Sequence, residues 1–262
     1  DELVDGWAFT REPVPVAASW DQVLTAGEEV SLPHTWNAED GQDGGNDYHR
    51  GRCTYARRLP PAPERGRTWL EVCGANSSAE IYLNGVQVGE HHGGYSTFRI
   101  DLTDHLGAEN TLLVAVDNSP NDTVYPQRAD FTFYGGLYRR VRLIHLADAH
   151  FRLDQHGGPG LVATPALDGT TAHVALSAAV TGGEQVRFRI DGIGTQTVPV
   201  TDAAAHAQIS IPEVRRWHGR RDPYLYSATA ELLVSGSVTD SVDVRFGCRE
   251  LAVHPEDGFL LN

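Results

Sequence analysis

The 262-residue sequence has no methionine at all, position 1 included. Residues missing from the front are therefore expected. Cysteine is scarce: Cys53, Cys73 and Cys248 are an odd set without a CxxC spacing. Neither a zinc site nor a disulfide framework is signalled, and reduced structural thiols are the favoured reading. Basic residues are in deficit, 21 Lys and Arg against 35 Asp and Glu, a formal net charge of −14. That charge repels phosphate backbones and anionic membrane surfaces, so nucleic acid and membrane are both excluded as expected partners. No apolar run approaches the roughly 20 residues that a membrane-spanning helix needs. The acidic Asp1-Glu2 start lacks the basic region of a signal peptide. Long amphipathic helices, low-complexity tracts and close internal repeats are missing too.

What is present is a period of two. Ala79, Ile81 and Leu83 alternate with Glu80 and Tyr82, then Asn84-Gly85 leads into Val86-Gln87-Val88. Asn-Gly between two alternating runs predicts a hairpin, because a type I′ turn needs positive φ at both central residues. Residues 112–116 read as a buried strand, and 141–146 as the strand ending the first half. In the second half, stripes at Val174–Val180, Val186–Ile190, Ile209–Ile211, Ala228–Val234 and Val242–Phe246 are separated by turn residues such as Gly182-Gly183. Hydrophobic residues make up 40% of the chain, enough for each half to bury a core. A domain takes roughly 100–200 residues, so two domains are expected. The fold class expected is all-β, two antiparallel β-sandwiches. The boundary is placed near Ala147 to His150, ahead of the loop chemistry of 155–160, giving domains 1–149 and 150–250. The final stretch, 251–262, ends on the apolar run Gly258-Phe259-Leu260-Leu261-Asn262. Natural chain ends are usually polar, so this end reads as a cut inside a longer protein.

Six stretches in order then carry a resemblance. They are Leu32-Pro33-His34-Thr35-Trp36-Asn37; residues 79–98, from Ala79 through Asn84-Gly85 to Gly93-Gly94-Tyr95-Ser96-Thr97-Phe98; Asn110 to Asn118; Asp130-Phe131-Thr132-Phe133-Tyr134-Gly135-Gly136-Leu137-Tyr138-Arg139; Trp217 with Asp222-Pro223-Tyr224-Leu225-Tyr226; and Phe246-Gly247-Cys248-Arg249. Together they resemble the N-terminal region of glycoside hydrolase family 2. The resemblance implies a galactose-binding-like jelly roll, then an immunoglobulin-like sandwich, then a catalytic (β/α)8 barrel of the same chain beginning near residue 258. It implies a retaining exo-β-glycosidase, with β-galactosidase leading and β-glucuronidase and β-mannosidase as alternatives.

Retaining cleavage needs two carboxylates about 5–5.5 Å apart. The resemblance puts both on the barrel, so no catalytic residue is expected here and the chain alone is expected to be inactive. It does place a sugar-contacting aspartate at Asp130, six positions before Gly136. A carboxylate there accepts hydrogen bonds from sugar hydroxyls and ligates a hard cation through oxygen. Asp130 is thus the candidate for substrate binding and for a monovalent or divalent cation in the intact enzyme; the alternative is an Asp that caps the 131–133 turn. The glycine-rich loop from Asp40 to Asp47 supplies Asp43 and Asn46 as further substrate contacts. A calcium loop is the alternative, although the EF-hand pattern is not met, and a solvated loop is the plainer reading.

Trp36, Tyr48, Tyr95 and Tyr134 are candidates to stack on sugar rings, with Trp36 and Tyr95 expected in the core. His91-His92 does not make a metal pair, because adjacent strand residues face opposite ways. His34 reads as structural. Two other classes stay open: a stand-alone carbohydrate-binding module, and an adhesive scaffold of tandem sandwiches. The expected partners are the barrel, a β-galactoside or similar glycoside, and a second copy of the chain in a homo-oligomer. The sparse thiols suit the cytoplasm; secretion through a missing leader is the alternative.

Overall fold

The computed structural model describes residues 1–12, 14, 20–40, 48–125, 133–155 and 157–262. The chain divides into two compact units, Asp1–His145 and Leu146–Asn262, each with a separate hydrophobic core. The join falls slightly before the stretch marked by the sequence, and residues 251–262 group with the second unit.

In the first unit the strands are β1 (Trp7–Thr10), β2 (Glu28–Val30), β3 (Arg52–Leu59), β4 (Arg67–Val72), β5 (Ser78–Leu83), β6 (Val86–His92), β7 (Phe98–Asp101), β8 (Asn110–Asp117) and β9 (Val141–Leu146). A six-stranded antiparallel sheet runs β2-β1-β3-β8-β5-β6, and a three-stranded sheet runs β7-β4-β9, in which β7 and β4 are antiparallel. Alternate side chains from the two sheets meet inside: Cys53 and Tyr55 of β3, Ile81 and Leu83 of β5, Leu112, Val114 and Val116 of β8, Leu70 and Val72 of β4, Val141 and Leu143 of β9. The β5–β6 hairpin turns at Asn84 (φ 51°) and Gly85 (φ 88°), with Leu83 opposite Val86.

The unbroken apolar run of β8 has a local cause. Its inward residues reach the core, and its outward Leu113 and Ala115 are buried too, under Trp20 and Tyr82. Trp20 opens a short helix, α1 (Trp20–Ala26), and its ring meets Tyr82 edge-on at 6.1 Å. With both faces covered, residues 112–116 of β8 are apolar at every position. A seven-residue helix is too short to carry a readable period.

The second unit contains β10 (His150–Phe151), β11 (Leu161–Asp168), β12 (Thr171–Thr181), β13 (Gln185–Ile190), β14 (Gly194–Pro199), β15 (Ala204–Ile211), β16 (Tyr226–Val234), β17 (Ser237–Phe246), β18 (Leu251–His254) and β19 (Gly258–Leu261). One sheet joins β10, β11 and β15 to the long β12, and the other runs β14-β13-β16-β17. Val174, Leu176, Ala178 and Val180 pack against Val186, Phe188, Ile190, Ala228, Ala230 and Leu232. The last hairpin, β18–β19, is tied back when the Asn262 side-chain amide donates to the Trp217 carbonyl at 2.9 Å. The protein is thus a pair of antiparallel β-sandwiches.

Candidate functional site

The sequence points to two stretches of the first unit, the loop with Asp43 and Asn46 and the turn with Asp130. Residues 41–47 and 126–132, and with them all three side chains, lie outside the described residues. What the structure describes is the frame on which both stretches are mounted.

The chain leaves the two stretches at Tyr48 and Phe133, and these residues are bonded to each other in both directions. The Tyr48 hydroxyl donates to the Phe133 carbonyl at 2.6 Å, and the Phe133 amide donates to the Tyr48 oxygen at 3.0 Å. Residues 85 apart in sequence are held side by side. Burial pushes the Tyr48 phenol up, so it stays protonated and able to donate.

A buried polar cluster supports this junction from below. Asn37 is fully buried, Asn118 is 1% exposed and Asp40 6%. The Asn37 amide donates to Asp40 Oδ2 and, at 3.0 Å, to the His49 carbonyl. Asn37 Oδ1 accepts the Gly135 amide at 2.7 Å and the Asn118 side chain at 3.3 Å. Asp40 Oδ2 also accepts the His49 amide at 3.0 Å, which closes the chain on either side of 41–47. Asn118 Oδ1 accepts the Gly51 amide at 2.9 Å. Asp40, one of the loop's carboxylates, is therefore a structural tie rather than a ligand-facing group. Gly135 is required by contact: a Cβ there would lie 2.2 Å from the Trp36 ring.

Asn76 joins a second pair of segments. Its side chain donates to the Tyr134 carbonyl at 2.9 Å, while the Gly94 backbone packs so closely that a Cβ would meet Asn76 Oδ1 at 2.3 Å. Tyr138 donates to the Gly94 carbonyl, and Arg139 to the Tyr95 carbonyl at 2.7 Å. Tyr95, expected in the core, is 45% exposed, and Tyr134 is 42% exposed. The reason is local: residues 93–97 form a loop between β6 and β7 that is held through its backbone, leaving the Tyr95 ring outside. Trp36 is buried, stacked on Phe9 with ring centroids 6.0 Å apart.

The remaining candidates have structural partners. His34 Nδ1 shares a 2.8 Å hydrogen bond with the Tyr55 hydroxyl, and burial lowers its pKa. His91 bonds Ser96 at 3.0 Å and stacks on Phe98, whereas His92 bonds Ser78 at 3.2 Å on the other face. The three cysteines are free; burial pushes the Cys53 thiol up to about 12 and raises Cys73 and Cys248 as well, so none is an activated nucleophile. Among the described residues no group of three or more His, Cys, Asp or Glu stands together as a metal site. Sequence reasoning quoted Asn37 and Asn118 inside motifs but gave them no role. For Asn118 a signal was available, since an asparagine directly after a strongly apolar strand demands a backbone partner; Asn37 carried none.

A profile described as the sugar binding domain of glycosyl hydrolases family 2 matches residues 60–147, and one described as glycosyl hydrolases family 2 matches 159–249. The chain belongs to glycosyl hydrolase family 2. The family-2 chain is 32% identical to a β-glucuronidase of Bacteroides fragilis over 96% of its own length and 40% of that protein. A crystal structure described as an FMN-binding β-glucuronidase from Facaelibacterium prausnitzii L2-6 superposes with a TM-score of 0.85 at 34% identity, over 100% of this chain and 41% of that one. A putative β-galactosidase from Bacteroides fragilis superposes at 0.86 with 27% identity, over 100% and 42%. The chain thus spans about two fifths of these relatives, and both sugar specificities occur among them.

Proposed function

We propose that this chain is the non-catalytic N-terminal region of a retaining exo-β-glycosidase, and that segments 41–47 and 126–132 jointly form part of its substrate rim. The observation that carries this is the two-way Tyr48–Phe133 bond, which mounts the exits of both segments at one place on a family-2 sandwich. In this reading Asp130, Asp43 and Asn46 contact sugar hydroxyls, and Asp130 contributes to a cation site in the intact enzyme. The acid/base and nucleophile carboxylates reside in a barrel beyond residue 262. The hairpin β18–β19 fits that view, with Val253 80% and Phe259 67% exposed, as on a surface that a further domain covers.

Relatives at 32% and 34% identity named β-glucuronidase favour a terminal β-glucuronide as substrate. The β-galactoside expected from the sequence is the second reading, supported by the relative at 27%. Three unpaired thiols suit a reducing compartment, and the cytoplasm is the proposed location.

The test is turnover of p-nitrophenyl β-glucuronide and β-galactoside by this chain and by the longer polypeptide encoded with it. Hydrolysis by the longer chain alone, reduced roughly 10-fold or more in kcat/KM by Asp130→Ala, is the expected result. Turnover by the 262-residue chain, abolished by replacing one of its own acids, would refute the proposal.

A further inference from the structure

The hairpin β18–β19 turns a band of large apolar side chains toward solvent. Its register sets Leu251 opposite Leu261 and Val253 opposite Phe259. Facing residues share a side, and so do residues two apart, so these four stand together on one face. Leu251, Val253 and Phe259 are each at least half exposed. Among the described residues the two strands pair only with each other. A lone two-stranded hairpin is marginal in water, and soluble proteins rarely leave such a band open.

The hairpin is nevertheless held in one pose. At its open end the Asn262 side-chain amide donates to the Trp217 carbonyl at 2.9 Å and reaches His218 Nδ1 at 3.2 Å. Asn262 Oδ1 accepts the Glu250 amide at 3.0 Å. Trp217 is locked in turn: the Arg249 guanidinium lies 4.9 Å over its ring, and its backbone amide donates to the Cys248 carbonyl at 2.8 Å. The loop beyond it is closed by the His218 amide on the Asp222 carbonyl, also at 2.8 Å. That loop is strongly cationic for a chain of net charge −14, with four arginines within residues 215–221. Arg215 is matched by Asp222, and Arg216 donates to the Gly169 carbonyl. The Arg220 and Arg221 side chains are exposed and have no partner among the described residues. The apolar band thus has an arginine border at its open end.

This surface selects its occupant. A second copy of the chain brings a second charge of −14 with it and is repelled. The chain spans about two fifths of its family-2 relatives, which leaves more than half of such a protein to do the covering. A complementary surface is apolar at its centre and places carboxylates against Arg220 and Arg221, since a guanidinium fork pairs best with a carboxylate. A (β/α)8 barrel is built from parallel strands, whereas β19 runs antiparallel to β18.

We propose, on the reading of this chain as the N-terminal region of a longer enzyme, that the Val253–Phe259 face bordered by Arg220 and Arg221 is a docking platform for the segment that follows residue 262, and not the first strand of a barrel. Hydrogen exchange over residues 249–262, read by mass spectrometry, tests it on the 262-residue chain and on the longer polypeptide encoded with it. Exchange of the hairpin amides is expected to be about 100-fold slower in the longer polypeptide, since a covered strand does not open alone. Val253→Ser with Phe259→Ser should cut that protection about 10-fold or more while leaving the thermal transitions of the 262-residue chain unmoved. Arg220→Glu with Arg221→Glu should cut it about 5-fold, an effect that fades at about 0.5 M NaCl as the charges are screened. Equal exchange in the two proteins overturns the proposal, as does undiminished protection in both double variants. A dimer of the longer polypeptide that the serine pair dissolves overturns it too, because the band then belongs to a second copy. The glycosidase reading fails separately: protection without glycoside turnover sinks that reading alone, and turnover without protection sinks the platform alone.

Discussion

Replacing Asn37 with alanine tests the account of how the two loops are mounted. The Asn37 side chain makes four hydrogen bonds, and the groups it leaves are not equal. The Asp40 carboxylate keeps the His49 amide, the His49 carbonyl keeps Trp36 Nε1 at 3.3 Å, and the Asn118 amide keeps the His49 carbonyl. The Gly135 amide keeps nothing described, and Gly135 is buried. An orphaned buried donor costs about 1–3 kcal/mol, and loss of the bond to the charged Asp40 adds about 1–2 kcal/mol. A total near 3–4 kcal/mol is expected. For a unit of this size each kcal/mol moves the midpoint by about 3–5 °C, so its transition should fall by roughly 10–20 °C. Differential scanning calorimetry at neutral pH reads this directly, with the transition of the second unit, whose core is separate, as the internal reference. Asn37→Asp separates the two halves of the bond set. It keeps the acceptor for Gly135 but places a second carboxylate against Asp40. The pair's pKa is then raised in the folded state, so the defect should lessen as pH falls and one carboxyl protonates. A fall of less than about 3 °C for Asn37→Ala would show that the cluster does not hold the frame.

Gly135→Ala should cost more than about 2 kcal/mol, since its Cβ would stand 2.2 Å from the Trp36 ring and 2.7 Å from Asn118 Nδ2; a normal urea midpoint would refute the close approach. The Arg52 hydrogen bonds, aided by Tyr82, hold the Glu80 carboxyl at about 2 against an ordinary 4.5. A folded pKa below the unfolded one gives stability that is full above about 4.5 and lost as pH falls toward 2. Because Glu80 is 34% exposed, screening limits this to about 1 kcal/mol. Glu80→Gln should lower neutral-pH stability by that amount and flatten the acid limb, read by urea melts across pH. Phe188→Ala, in the second core, should cost about 3–5 kcal/mol and move only the second unit's transition; an equal fall in both would refute separate cores.

Much of this protein could be read from sequence because its rules are local. Alternation in residues 79–83 and 174–180 settles which side chains face inward, and Asn84-Gly85 settles where the chain turns. Both depend on neighbours one or two positions away. The family was legible for a related reason, since its stretches occur in a fixed order along the chain. Tyr95 was misjudged because its exposure depends on a loop held by Arg139 and Tyr138, more than forty positions away.

The amino-acid order alone determined two all-β sandwiches of family 2 and named Asp130, Asp43 and Asn46 as candidates. Only the tertiary structure decided which groups meet: Tyr48 with Phe133, Asn37 with Gly135, and Asn262 with Trp217. Strand pairing and buried polar closure are long-range choices. They are made when a donor taken out of water finds whichever acceptor the packed core brings beside it, and no short stretch of sequence records that partner.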